Sequence, residues 1–169
     1  AVVASPTMDD VLEVYALRLA LGEIAIATTA EAGTVGDREA ANLTRMVAKL
    51  RDPKVRADAD RMIDADLAFQ SAVIAHSGLP RFTESFARTN TDIKVFVRAL
   101  GIRYDEQDHR ELAARHERLV AALQQGDAVA AVAQWRSHIT TTVREFSQDT
   151  AGLERPGLRH LLTTGAHHG

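Results

Sequence analysis

Residues 105–146 read DEQDHRELAARHERLVAALQQGDAVAAVAQWRSHITTTVREF, and the glycine near their middle decides how the rest is arranged. Before it, Leu112, Leu119 and Leu123 recur at helical intervals; after it, Val129, Val132, Trp135, Ile139, Val143 and Phe146 do the same. Apolar residues three and four apart line one side of an α-helix. Gly126 and Asp127 interrupt the two runs as a terminating glycine and an N-capping aspartate do. Helices joined by so short a link run antiparallel as neighbours. His116 lies ten residues before Gly126 and His138 twelve after it. At about 1.5 Å of rise per residue these are roughly 15 and 18 Å from the turn, so the two imidazoles come level.

Working outward, the same periodicity runs through nearly the whole chain. A first helix starts after Ser5 or Thr7, with Pro6 near its first turn, and carries Val11, Val14, Leu21 and Ala25 on one stripe before Gly33. A second fits Asp37 to Leu50, with Leu43, Met46, Val47 and Leu50 apolar, until Asp52 and Pro53 stop it. A third is expected from about Lys54 to His76, burying Met62, Ile63, Phe69 and Val73 and breaking at Ser77 and Gly78. Pro80 opens a fourth, with Phe82, Phe86, Ile93, Val97 and Leu100 ahead of Gly101. The quoted stretch supplies the fifth, from about Asp105 to Gln125, and the sixth. A tail from Gly152 adds a short helix around Leu158 to Leu162. No strand-like alternation is sustained, so the fold class is all-α, an antiparallel bundle in one domain over 1–169. Its core is about 8–148 and its C-terminal tail 149–169.

Composition narrows the chemistry. Cysteine is absent, which removes disulfides, thiolate zinc sites and cysteine nucleophiles together. Any metal must then use His, Asp, Glu or amide oxygen. A formal charge of −3 with no Lys/Arg cluster argues against nucleic acid as a direct partner. No run of about 18 apolar residues occurs, and the opening lacks a signal peptide's basic start and apolar core, so no membrane association and a cytoplasmic location are expected. Ala1 in place of a starting methionine fits processing or a piece of something longer.

The informative positions in a bundle are polar groups standing where the pattern asks for apolar ones. Asp66 lies three residues after Ile63 and three before Phe69, which puts its carboxylate on the buried side of its helix, with Gln70 one turn on. His116 sits between Leu112 and Val120, and His138 is three after Trp135. Level imidazoles joined by Asp66 and the Gln70 amide oxygen make a mixed N and O set suited to Zn, Ni, Mn or Fe. Each of these residues also has a plain role open to it: a buried His hydrogen-bonded in the core, or an Asp paired with an arginine. Arg18 falls inside the first helix's stripe, and a buried guanidinium needs an anion, either an internal carboxylate such as Asp66 or that of a ligand. Thr89 and Asn90, near the fourth helix's stripe, are candidate ligand contacts or interhelical links.

These residues in this order resemble the FCD domain, the C-terminal effector-binding domain of FadR-subfamily GntR transcription regulators. The resemblance rests on Val14 to Leu21, on Asp66-Leu67-Ala68-Phe69-Gln70 followed by Ser77-Gly78, on Arg115-His116-Glu117 and on Ser137-His138-Ile139. It implies a bundle of six to seven helices around a central ligand and metal cavity. In metal-containing members an Asp and three His hold an ion that helps bind a small carboxylate effector. Asp66, His116 and His138 match ligand positions, and Gln70 stands where the family's first His is expected. Leu79 and Gly22 replace a common Asn and Glu. Such regulators are expected to be homodimers and to carry a winged helix; this chain has no room for one before its first helix, so contact with DNA is expected only through a separate domain.

Three other readings compete with this one, the plainest being an interaction-only bundle with no cavity. A ferritin-like di-iron enzyme needs E-x-x-H pairs, and Glu106-Gln107-Asp108-His109 supplies one at a charged helix start, where solvated capping is the alternative. The ligand-binding domain of a TetR-like regulator would form a pocket without the Asp and His set. No common hydrolase or nucleotide-binding motif is present, so no enzyme activity is expected.

Overall fold

Thr7 and Asp10 cap each other at the start of the first helix, the Asp10 amide donating to the Thr7 hydroxyl at 3.2 Å and the Thr7 amide to the Asp10 carboxylate at 2.7 Å. A computed structural model describes residues 6–101 and 106–147, with backbone alone for 106, 107, 146 and 147. The architecture is all-α. In order the helices are α1 (Met8–Ala32), α2 (Asp37–Lys49), α3 (Pro53–Arg56), α4 (Ala59–Ala75), α5 (Pro80–Ala99), α6 (Glu106–Gln124) and α7 (Ala128–Ser147). The tail helix expected around Leu158 lies outside the described residues.

The antiparallel pair forms as its turn chemistry requires. Gly126 takes a left-handed φ of 69°, and its amide and that of Asp127 donate to the carbonyls of Leu123 and Ala122 at 3.1 and 3.0 Å, closing the end of α6. The Asp127 carboxylate then accepts from the Ala130 amide at 2.9 Å and starts α7. Arg118 and Gln134, each eight residues from Gly126, meet at 3.0 Å across the pair, which fixes the register. α1 runs along α7 and also touches α4, α5 and α6, so one long helix anchors the bundle.

Several boundaries differ from the expectation. The helix read from Lys54 to His76 is broken into α3 and α4, because Asp58 adopts extended backbone and its carboxylate accepts from the amides of Asp60 and Arg61. The buried side of α1 is Val11, Leu12, Tyr15, Arg18, Leu19, Gly22, Ala25 and Ile26, with Val14 and Leu21 only half-buried on its flank. Val129 is 82% exposed at the first turn of α7, and Leu100 is 39% exposed as the cap of α5. Both stand at a helix end, where apolar period alone does not secure burial. The side chain of Phe146 lies outside the described residues. No helix among the described residues is long and apolar enough to cross a membrane.

Candidate metal and effector site

Where the expected interior site lies, polar side chains from five helices come together. Asp66 of α4 takes His116 of α6 on one oxygen, Nε2 lying 2.6 Å from Oδ1. A carboxylate only accepts, so the imidazole donates. On the other oxygen Asp66 takes Gln70, whose Nε2 donates to Oδ2 at 2.8 Å. The Gln70 carbonyl accepts from Arg18 Nη2 of α1 at 2.6 Å. Nη1 of the same guanidinium donates to Asn90 Oδ1 of α5 at 2.8 Å and to the Thr89 hydroxyl, which in turn donates to the carbonyl of Phe86 at 2.6 Å. The Arg18 guanidinium also lies over the Phe86 ring, 3.9 Å from its centroid.

His138 of α7 completes the cluster. Its ring centroid is 4.8 Å from that of His116, as expected for two helices in register about Gly126. His116 also stacks on Phe69, with ring centroids 4.2 Å apart. One donor atom from each of Asp66, His116 and His138 lies within 4.8 Å of the others, and all three residues are buried. Among the described residues, His138 Nδ1 has no hydrogen-bond partner, and neither has the indole nitrogen of Trp135, whose ring centroid is 5.8 Å from that of His138.

A sequence profile of the FCD domain matches residues 13–141, a span that holds every side chain of this cluster. This chain belongs to the FCD domain family. No curated protein and no solved structure matches it.

The donor set of this FCD domain is one that could hold an ion. It presents one carboxylate oxygen and two imidazoles, hard and borderline donors that suit a divalent transition metal, and it contains a buried imidazole nitrogen that lacks a partner. Burial lowers the pKa of His138 to about 3, against the pull of Asp66 and with the further push of His116, Arg115 and Arg18. At neutral pH the ring is therefore neutral, the form a metal ligand requires. Burial pushes Asp66 the other way, but the His116 hydrogen bond and the charges of His116, His138 and Arg18 outweigh it and hold the carboxyl below its usual range. Burial also brings Arg18 down to about 10, offset in part by Tyr15 and Asp66, which leaves it charged at neutral pH.

Sequence reasoning had named these seven residues but not who meets whom. Arg18 reaches Asp66 only through Gln70, and Thr89 and Asn90 are its partners across the α1–α5 contact. Trp135, read as core alone, sits beside His138; its one signal was the three-residue spacing between them. Gly22, noticed only as a departure from the FCD pattern, is where the Trp135 indole rests: a Cβ there would lie 2.1 Å from the indole nitrogen. Arg115 is buried beside the site as well. His109 of the E-x-x-H stretch is buried rather than solvated, while the Glu106 side chain lies outside the described residues. His109 is not part of the Asp66 cluster.

Proposed function

We propose that this chain is the effector-sensing domain of a GntR-family, FadR-subfamily bacterial transcription regulator. It binds a small carboxylate metabolite together with a divalent transition metal (Zn, Ni, Mn or Fe) and thereby modulates DNA binding by a separate winged-helix domain. The observation that carries this reading is the convergence of Asp66, His116 and His138 from three helices of an FCD chain. These three side chains hold the metal. Gln70 flanks it, and Arg18, with Thr89 and Asn90 behind it, supplies the cation for the effector's carboxylate.

An effector entering here draws Arg18 off its neutral partners and ties α1, α4, α6 and α7 to one object. Binding of that kind favours one arrangement of helices over another, and in a homodimer it biases how two DNA-binding domains are placed. The single domain is the sensor, and the reading function belongs elsewhere.

Metal analysis of the purified chain tests this directly. One equivalent of transition metal per chain is expected, and it is lost in His116→Ala and in His138→Ala. Trp135 is the one tryptophan and lies beside His138, so its emission changes as metal binds. No metal in the purified protein, together with no thermal shift on adding any of the four ions, would reject the metal site.

A further inference from the structure

The outer surface of α1 and α5 carries apolar side chains that the packed bundle leaves uncovered. On α1, Val14, Leu17, Leu21 and Ile24 follow one another at steps of three, four and three, the seven-residue repeat of a helix that packs lengthwise on another. Leu17 and Ile24 are 47% and 52% exposed, and Val14 and Leu21 are half-buried on the same flank. That flank looks away from α7, which meets α1 on its opposite side through Arg136 and Glu23. It borders α5, whose own outer strip reads Arg81, Ser85, Arg88, Asp92 and Val95, the last 49% exposed. This strip looks away from α4, which holds Lys94 and Arg98 through Asp64 and Asp60. The two strips therefore share one outer face.

The register of α1 against α5 says what that face fits. Asp60 with Arg98 and Asp64 with Lys94 make α4 and α5 antiparallel, while Arg18 with Gln70 and Thr34 with His76 make α1 and α4 parallel. α1 and α5 thus run in opposite directions, and Arg18 on Thr89 and Asn90 sets their level. The midpoint between Leu17 and Ile24 then lies within about one helical turn of the level of the midpoint between Arg81 and Asp92. A two-fold axis needs that coincidence. Crossing α1 at right angles there, it reverses a second copy, setting Leu17 against Ile24 of the second copy and Arg81 against its Asp92, each contact made twice. Arg81 and Asp92 are exposed, and neither is ion-paired among the described residues. An axis parallel to α1 would instead set Arg81 on Arg81 and Asp92 on Asp92 with the helix dipoles aligned, which like charges oppose.

We infer that the α1–α5 face is where two copies of this chain meet, α1 antiparallel to α1, with Leu17 and Ile24 at the centre and Arg81–Asp92 pairs at the edges. The face is about 20 Å long and two helices, about 20 Å, wide. Its footprint, on the order of 400 Å² per copy, is below the roughly 800 Å² of a stable complex, so the dimer is weak and dilution separates it. The homodimer invoked in the proposed function gains a contact surface in this way. None of these residues belongs to the Asp66 cluster, so the interface stands or falls apart from the metal and effector reading.

Sedimentation equilibrium of the whole chain over a concentration series is expected to show a reversible monomer–dimer equilibrium. Ile24→Glu, at a half-exposed position and with its helix content checked by circular dichroism, is expected to weaken association by more than about tenfold, because the dimer loses the contact twice. Arg81→Glu and Asp92→Arg, made singly, bring like charges together and are each expected to weaken it about tenfold. The double variant carrying both changes recovers the wild-type association. Only the antiparallel register predicts loss in each single variant and recovery in the double. A chain that stays monomeric at its highest soluble concentration, a dimer unmoved by Ile24→Glu, or single charge reversals that the double variant does not repair each overturns the inference. Metal binding, measured on the same samples, is expected to be unchanged throughout, so a failure of the interface is distinguishable from a failure of the metal site.

Discussion

Arg18 keeps its charge at 1% exposure because three oxygens and an aromatic face share it. Its planar fork serves Gln70 from one nitrogen and the Thr89–Asn90 pair from the other, a geometry that an ammonium does not reproduce. Arg18→Lys is therefore expected to cost about 1–3 kcal/mol in urea unfolding and to abolish any thermal shift produced by carboxylates. A Lys variant that still responds to carboxylates as the wild type does would remove Arg18 from the effector's contacts. At this scale much was legible: Asp66, Gln70, Arg18, His116 and His138 all announce themselves as polar residues on apolar stripes. What spacing left open was Arg18's partner. Its three bonds come from residues 52, 71 and 72 positions away, and no local pattern encodes which of several inward polar groups lies within reach.

Among the elements, the α1–α7 contact depends on a missing side chain. With a Cβ, residue 22 would stand 2.1 Å from the Trp135 indole nitrogen and 2.2 Å from the adjacent ring carbon. Gly22→Ala is thus expected to destabilise the chain by about 1–3 kcal/mol, the usual range for overpacking. It also moves the indole relative to His138, which a shift in Trp135 emission would report. Unchanged stability and emission would mean that the helices part without cost. Asp58 offers a second test: Asp58→Ala removes the cap that separates α3 from α4 and should cost about 1 kcal/mol, read from the shift in thermal midpoint. The split at Asp58 was hard to read from sequence because Pro53 to Arg61 has no apolar period of its own to interrupt. The turn at Gly126 was easy, since glycine and a capping aspartate act locally.

For the molecule as a whole, acid is the condition that tests the buried cluster. His138 has its pKa near 3 when folded against 6.5 as a free side chain, so the unfolded chain takes up a proton that the folded one refuses. Stability is then fully present above pH 6.5 and falls as the pH drops toward 3, by up to about 1.4 kcal/mol per unit. The lowered pKa of Asp66 adds a loss in the same direction, below the ordinary carboxylate range. Urea midpoints of metal-free protein measured from pH 7.5 to 4 should decline, and His138→Gln should flatten the decline; parallel curves for the two would show that His138 is not buried neutral. The exposed pairs Arg98–Asp60, Lys94–Asp64 and Arg88–Glu84 contribute little at any pH.

The chain's all-α class, its helix-ending glycines and the level of His116 with His138 follow from residues near one another in sequence, because capping, period and rise per residue are local physics. Which side chains touch is a matter of how α1, α4, α5, α6 and α7 are laid together. Only the packed bundle turned the Gln70 amide between a guanidinium and a carboxylate, set Trp135 on Gly22 and closed three donors around one point, since those arrangements depend on distances between helices that no single helix carries.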